Sequence, residues 1–296
     1  MPQLEAKLSK PNKQTAVSLI NKKKKGEKIS AVSAYDYPSA RVASDAGIDM
    51  ILVGDSLGMV LQGCKNTMKV TIDEIIYHTR LVSSAEPTSL VVSDMPFGSY
   101  HISLEQAIEN AVRCIKEGGA EAVKLEGGRR RFKAIDAIIK AEIPVLGHLG
   151  LTPQSIYQLG GFKTQGKLKA KADEILEDAI ELEKLGVFAM ILESIPVDLA
   201  KTISESISIP TIGIGAGKYC DGQVLVFHDL VGFTDLYLPK FVRKYADIYP
   251  IIREALSHYI KDIHSGDFPG DEESYHVHAK SSEQDIKDIK DINEKQ

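Results

Sequence analysis

The apolar residues of this chain fall into short continuous runs that alternate with longer amphipathic segments. Eight of the runs are rich in aliphatic or β-branched residues and are bounded by Gly, Pro, Asp or Ser. Runs without polar alternation are typical of parallel strands that are buried on both faces. We therefore predict strands at residues 29–35, 50–54, 90–93, 122–125, 144–147, 188–192, 210–214 and 223–227.

The segments between these runs keep the 3.6-residue period of helices that bury one face. Two of them open with a predicted capping box, in which two residues three positions apart exchange hydrogen bonds: Thr71 with Glu74, and Ser103 with Gln106. A third helix is predicted from about residue 173 to residue 185. Strand and helix alternate throughout, which predicts an α/β protein, and we favour a single-domain (β/α)8 TIM barrel.

The two ends of the chain differ from its middle. We predict that residues 1–278 form the barrel with an N-terminal helical lead-in, and that residues 279–296 form a charged tail with little fixed structure. The lysines at 22–25 are interpreted as a solvated face, and His276 and His278 as solvated side chains rather than metal ligands.

Composition narrows the class of function. The 296 residues include 36 basic and 41 acidic side chains, and a net charge of −5 is too mild to indicate a nucleic-acid or membrane partner. Three cysteines without a C-x-x-C pair indicate neither a disulfide framework nor a thiolate zinc site. The sequence contains no signal-peptide pattern, no stretch long enough to span a bilayer, and none of the common nucleotide-binding, zincin or hydrolase motifs. We therefore expect a cytoplasmic protein that acts on small molecules.

Four apolar runs end on a carboxylate: Asp55, Asp94, Glu126 and Glu193. Taken singly, each is more often a turn or capping residue than a catalytic one. In an α/β barrel, however, the carboxyl ends of the strands surround one site, and carboxylates that converge there repel one another unless a cation joins them. Oxygen ligands favour a hard ion, so the pattern predicts Mg²⁺.

Three further residues have a structural and a functional interpretation. Lys124 lies on the same face of its strand as Glu126, either as a structural ion pair or as a positive charge for an anionic substrate. Ser56 could cap the following turn or donate to a substrate carboxylate. His148 is a candidate pocket residue, although a histidine near a strand end often only bonds to backbone.

Several motifs in unbroken order resemble one known family. They are SAYDYPSA, VGDSLGMVLQG, the T-x-x-E-I-x-Y-H-T segment, DMPFGSY, VKLEGG, GHLGLTPQS, GGFKTQG, LES-I-P, IGIGAG and DGQVLVFHD. Together they cover about residues 12–278 and are similar to the ketopantoate hydroxymethyltransferase (3-methyl-2-oxobutanoate hydroxymethyltransferase) family. Ser93 stands where the family pattern has alanine, and the tail after residue 278 extends beyond that pattern.

The resemblance implies a (β/α)8 barrel with one Mg²⁺ per subunit, a homo-oligomer that is decameric, and a step of pantothenate and coenzyme A synthesis. It implies transfer of a hydroxymethyl group from 5,10-methylenetetrahydrofolate to 3-methyl-2-oxobutanoate through an enolate, giving 2-dehydropantoate and tetrahydrofolate.

Residue roles follow from the matching motifs. Asp55, Asp94 and Glu126 would form the metal site, with Glu126 bound directly or through water, and Asp55, Ser56, Asp94 and Lys124 would bind the oxo acid. Glu193 would accept the proton, and His148 remains the further pocket candidate.

Two alternatives to this function remain open from the sequence. One is another Mg²⁺-dependent lyase or mutase that acts on 2-oxo acids on the same barrel, although the cysteine motif usual in that group is not visible. The other is a non-catalytic metabolite-binding barrel, which predicts that at least one of the four carboxylates is replaced, whereas all four are present.

Overall fold

A computed structural model describes residues 12–234 and 238–276. Its centre is a closed barrel of eight parallel strands, each hydrogen-bonded to its neighbour in chain order, with β8 pairing with β1. The strands are β1 (Ile29–Ser33), β2 (Met50–Val53), β3 (Leu90–Asp94), β4 (Ala122–Glu126), β5 (Val145–Gly150), β6 (Ala189–Glu193), β7 (Thr211–Ile214) and β8 (Gly222–Val226). The predicted fold class and all eight predicted strands are confirmed.

The chain also forms helices. In the part of the chain that the structure describes they are α1 (Ala16–Lys24), α2 (Tyr37–Asp45), α3 (Leu57–Val60), α4 (Ile72–Ser83), α5 (Leu104–Lys116), α6 (Phe132–Lys140), α7 (Ile156–Leu159), α8 (Lys169–Leu185), α9 (Val197–Ser206), α10 (Phe227–Leu230) and α11 (Ile248–Ser265). A single 3₁₀ turn, Pro153–Ser155, precedes α7.

The strands are buried on both faces, as their apolar composition predicts. Alternate strand residues such as Met50, Leu90 and Leu146 pack together in one core cluster, and Leu19 from α1 belongs to the same cluster. A larger cluster lies between strands β4–β6 and the helices outside them. Burial of this apolar surface holds the barrel together, at roughly 25 cal/mol per Å² removed from water.

One predicted capping box is confirmed, and only one of the two hydrogen bonds of the other is formed. At α4, Thr71 accepts a hydrogen bond from the backbone of Glu74, and the Glu74 side chain accepts one in return. At α5, Ser103 accepts from the Gln106 backbone, but the Gln106 side-chain oxygen is buried without a hydrogen-bond partner.

Two other local expectations need correction. Helix α8 begins at Lys169 rather than near residue 173, because alanines favour helix and pairs such as Lys169–Asp173 support the first turn. Strand β7 passes to β8 through residues 215–221 without a helix, so strand–helix alternation is wrong there. Glycines in positive-φ conformation, Gly215 and Gly217, allow that tight return.

The chain divides into two compact units, residues 1–246 and residues 247–296. The first contains all eight strands and α1–α10, and the described part of the second contains α11. The predicted boundary at residue 278 and the predicted tail lie outside the described residues, so they stay predictions. Among the described helices, none is long and apolar enough to cross a membrane.

Candidate active site

The predicted site residues meet at the carboxyl ends of neighbouring strands. Strand register pairs Asp94 with Lys124, and Glu126 with His148. Glu193 ends β6, and Asp55 lies two residues beyond β2. These residues and Ser56 all line one cavity of about 630 Å³ at this end of the barrel. In TIM-barrel enzymes, this is the end that contains the active site.

Three carboxylates form a compact buried cluster at the floor of the cavity. Asp55, Asp94 and Glu126 each offer one oxygen, and these oxygens lie within 4.8 Å of one another. The ammonium of Lys124 donates to both oxygens of Asp94 at 2.8 Å and to Oε1 of Glu126 at 3.2 Å. Lys124 therefore forms the ion pairs that its structural interpretation predicts.

The electrostatics of the floor follow from burial and from these contacts. Burial and the neighbouring carboxylates Asp94 and Glu126 raise the pKa of Asp55 well above its usual range. Burial also raises the pKa of Asp94, although Lys124 opposes this effect. Burial would raise the pKa of Glu126 too, but Lys124 and His148 together lower it. Lys124 keeps a pKa well above its usual range, because the carboxylates outweigh its own desolvation.

A divalent cation fits this donor set. The raised pKa of Asp55 means that one ammonium does not fully compensate three crowded carboxylates. A hard cation prefers carboxylate oxygens, and it would remove the remaining repulsion. Asp55, Asp94 and Glu126 are the residues that could hold it.

His148 links the floor to Glu193. Its Nδ1 lies 3.4 Å from Oε1 of Glu126, and its Nε2 lies 3.3 Å from Oε2 of Glu193. These distances exceed those of good hydrogen bonds, and neither ring nitrogen has a geometrically acceptable partner, so the contacts are ion pairs. Burial alone would lower the pKa of His148, but the two carboxylates raise it to about 9.

Ser56 does not cap its turn. It stands at the N-cap position of α3, but its side chain makes no capping hydrogen bond. Its hydroxyl instead lies 2.8 Å from the hydroxyl of the buried Tyr35. The capping alternative is therefore wrong, and the Ser56 hydroxyl is held beside the cavity.

Gln154 is a site residue that the sequence reasoning missed. Its Nε2 donates to Oδ2 of Asp55 at 3.1 Å and to the Met95 carbonyl at 3.0 Å. Its backbone N–H donates to Oε2 of Glu126 at 3.0 Å, and its Oε1 accepts from Tyr100 at 2.7 Å. Gln154 therefore orients two of the three carboxylates, Asp55 through its side-chain amide and Glu126 through its backbone N–H. The only sequence signal was its place in the TPQS segment after β5.

The backbone around Glu193 is unusual. Ser194, directly after it, has a φ of 47°, which is rare for a residue other than glycine. The Glu193 carbonyl accepts from Leu151 at 2.8 Å and passes so close to Gly150 that a side chain there would overlap it. Backbone strain of this kind concentrates at functional sites, where the surrounding structure maintains it.

The mouth of the cavity is lined by loop residues that the sequence reasoning did not single out. They are Phe162 and Lys163, from the loop after α7, and Lys240 and Phe241, from the segment after α10. Asp229 also lines the cavity. Phe162 and Lys163 lie within the GGFKTQG segment, but the second pair had no recognisable pattern.

Solved structures with the same fold include a lyase and a hydrolase. A 2,3-dimethylmalate lyase of the PEP mutase/isocitrate lyase superfamily aligns with a TM-score of 0.54 at 14% identity, over 96% of this chain and 97% of that one. A phosphonopyruvate hydrolase, solved with oxalate and Mg²⁺, aligns with a TM-score of 0.57 at 11% identity, over 94% and 98% of the two chains. At such low identity these similarities show the fold alone.

Sequence comparisons are more specific. A protein named 3-methyl-2-oxobutanoate hydroxymethyltransferase from Thermoanaerobacter sp. (strain X514) is 53% identical to this chain, over 91% of this chain and 98% of that protein. A protein of the same name from Clostridioides difficile (strain 630) is 49% identical, over 92% of this chain and 98% of that protein. The family model described as ketopantoate hydroxymethyltransferase matches residues 13–271. The chain therefore belongs to the ketopantoate hydroxymethyltransferase family.

Proposed function

We propose that this protein transfers a hydroxymethyl group from 5,10-methylenetetrahydrofolate to 3-methyl-2-oxobutanoate. The products are 2-dehydropantoate and tetrahydrofolate, and one water is consumed. The observation that carries the proposal is the buried cluster of Asp55, Asp94, Glu126 and Lys124, with Glu193 across the same cavity. In a chain of this family, the cluster supplies the residue types that the reaction needs.

Asp55, Asp94 and Glu126 are proposed to hold Mg²⁺, as their burial and mutual repulsion favour. When bound, this ion supplies positive charge that stabilises the oxygen anion of an enolate. Gln154 orients Asp55 and Glu126, and Lys124 orients Asp94.

Glu193 is proposed to take the proton from C3 of the oxo acid. An ordinary carboxylate is too weak a base for this step unaided, because each unit of pKa mismatch costs about 1.4 kcal/mol. Lys124 adds positive charge at the floor and so favours the developing enolate. Ser56, whose hydroxyl lies 2.8 Å from that of Tyr35, is proposed to donate to the substrate carboxylate.

After the proton has moved, C3 of the enolate forms a bond to the methylene carbon of the folate as one of the two carbon–nitrogen bonds of that bridge breaks. Water then replaces the second nitrogen: its oxygen becomes the hydroxymethyl oxygen, a proton goes to the folate nitrogen, and tetrahydrofolate leaves. The size of the cavity supports a large second substrate. About 630 Å³ is a volume typical of pockets that enclose drug-sized ligands, and a five-carbon oxo acid would occupy only part of it.

The test of the function is direct. The purified protein is mixed with both substrates and Mg²⁺, and 2-dehydropantoate is measured, with exchange of the C3 proton of 3-methyl-2-oxobutanoate for deuterium followed separately by NMR. Formation of both signals is expected. Exchange without product when folate is present would favour a different enolate chemistry on the same floor, and absence of both signals would overturn the proposal.

The metal site has its own test, which does not depend on turnover. We expect Asp94→Ala to weaken Mg²⁺ binding at least tenfold in calorimetry, since it removes a charged oxygen ligand. Asp73→Ala, which changes an exposed aspartate on α4, is the matched control. Unchanged Mg²⁺ affinity in Asp94→Ala would exclude this residue as a ligand.

We also propose that the protein is a cytoplasmic homo-oligomer, a decamer by resemblance. The free state of all three cysteines supports a reducing compartment. Helix α11 exposes several large apolar side chains, among them Ile251, Leu256, Tyr259 and Ile260. Such an apolar surface supports association. Native mass spectrometry should give ten subunits, and a monomer would contradict the proposal.

A further inference from the structure

Two different loops each bring one phenylalanine and one lysine to the mouth of the cavity. Phe162 and Lys163 are adjacent on the loop after α7, and Lys240 and Phe241 are adjacent on the segment after α10. The aromatic rings are unusually accessible for cavity residues, with 55% of Phe162 and 38% of Phe241 exposed. The mouth therefore presents two rings and two ammonium groups around one opening.

The aromatic side chains are placed by glycines. Phe241 lies against the backbone of Gly215, where an added Cβ would be 2.8 Å from a ring carbon. Phe162 follows Gly160 and Gly161, which have φ values of 68° and 117°. Conformations of this kind are open to glycine and rarely to other residues. The sequence therefore holds both rings at the opening through neighbouring glycines.

The lysines at the mouth differ from the lysine at the floor. The ammonium group of Lys124 forms ion pairs with Asp94 and Glu126. In the described ranges 12–234 and 238–276, neither Lys163 nor Lys240 forms an ion pair. The nearby carboxyl that lines the cavity, Asp229, has a pKa raised by burial, which weakens its tendency to ionise. Positive charge at the mouth is therefore available to an anionic ligand.

We propose that this mouth binds the folate co-substrate, with Phe162 and Phe241 against its rings and Lys163 and Lys240 on its glutamate carboxylates. The inference rests on the proposed function and adds where the second substrate lies. Aromatic side chains suit flat heteroaromatic rings, and flexible ammonium groups suit the carboxylates of an extended tail. The oxo acid below needs neither feature.

The test compares two forms of the co-substrate, 5,10-methylenetetrahydrofolate with three glutamates and the corresponding pteroate, which has no glutamate. We expect Lys163→Met and Lys240→Met each to raise KM about threefold for the triglutamate, and the double variant about tenfold, as exposed ion pairs allow. On the pteroate, these variants should match the wild type. Lys167→Met, an exposed lysine outside the cavity on the same loop, is the matched control.

Substitution of the two phenylalanines should change KM in a different pattern from substitution of the lysines. Phe162→Ala and Phe241→Ala should raise KM for the triglutamate and for the pteroate by the same factor, because the rings contact the part that both share. Salt provides a measurement that needs no variant: added NaCl should raise KM for the triglutamate more than for the pteroate, since exposed charge pairs are screened.

The outcomes separate this inference from the function on which it rests. If the wild type forms product but the lysine variants keep their KM for the triglutamate, and salt affects both co-substrates equally, the mouth site is wrong and the function stands. If the wild type neither exchanges the C3 proton nor forms product, the proposed function itself fails. A lysine effect that is confined to the triglutamate supports the site.

Discussion

The floor and the mouth of the cavity are built in opposite ways. At the floor, Lys124, Glu126 and Glu193 lie on strands, are held by charged contacts and are mostly buried, with even the Glu193 side chain only 16% exposed. At the mouth, Phe162 and Lys240 lie on loops and are exposed.

This difference matches the demands of the two halves of the site. Proton transfer needs groups that are fixed to within a fraction of an ångström, and strands of a closed barrel provide that rigidity. Recognition of a long, flexible co-substrate tolerates and even benefits from adaptable loops. We therefore expect changes at the floor to alter chemistry or metal binding, and changes at the mouth to alter KM.

The largest effect should come from the proposed base. Glu193→Gln keeps the shape of the side chain but removes its ability to accept a proton, so we expect C3 exchange and turnover to fall by about a thousandfold. Calorimetry should still detect Mg²⁺ and the oxo acid. Glu205→Gln, on the exposed face of α9, should behave as the wild type. Exchange that survives in Glu193→Gln would assign the proton transfer to another group.

The next effect concerns the charge on His148 in protein freed of metal by chelation. Its pKa rises from 6.5 to about 9 on folding, so the stability that it contributes is fully present below pH 6.5 and is lost as pH rises through about 9. The shift corresponds to on the order of 3 kcal/mol.

Urea unfolding at pH 6 and pH 10 measures this contribution. The free energy of unfolding of the wild type should fall with pH by more than that of His148→Asn, whereas His258→Asn, an exposed change on α11, should follow the wild type. Parallel pH profiles for the wild type and His148→Asn would show that the histidine carries no extra charge in the folded state.

A smaller effect is expected for the side-chain amide of Gln154, which orients Asp55. Gln154→Leu removes the hydrogen bond to Asp55, and we expect Mg²⁺ affinity to fall about tenfold, as is typical for groups that orient metal ligands. Its backbone bond to Glu126 is retained. Gln158→Leu, an exposed change one helical turn away, is the control. Equal Mg²⁺ affinity in the two variants would limit Gln154 to a packing role.

The smallest effect should arise at the mouth. Gly215→Ala places a Cβ against the Phe241 ring and strains a φ of 64°, so we expect a loss of about 1 kcal/mol in the free energy of unfolding. The KM for the folate should rise a few-fold while C3 exchange without folate stays normal. A drop in that exchange would mean that floor and mouth are coupled, and the contrast between them would fail.

Much of the fold could be predicted from local pattern. Apolar runs located the strands to within one to three residues, and Thr71 with Glu74 marked the start of α4 as predicted. The errors have local causes as well. At α5 only the Ser103 half of the predicted capping box forms, and the glycine-rich return at 215–221 replaced a helix that alternation had led us to expect.

The candidate site was predicted unevenly. Carboxylates at strand ends could be found because a barrel gathers all its strand ends at one edge, and the family prediction is confirmed by the match over residues 13–271. The catalytic and ligand roles of those carboxylates stay predictions. Gln154 could not be found this way, because glutamine is common in loops and nothing local distinguishes one that will be buried.

The sequence by itself determined the order of the strands, the family, and which ionisable residues end the strands, because these depend on neighbours along the chain. Only the tertiary structure decided that Gln154 bonds to Asp55 across 99 positions, that His148 lies between two carboxylates, and that two loops share one mouth. These relations depend on barrel closure and register, which arise from contacts between distant segments. The charge of each buried group follows from those contacts, so it too belongs to the fold rather than to the residue type.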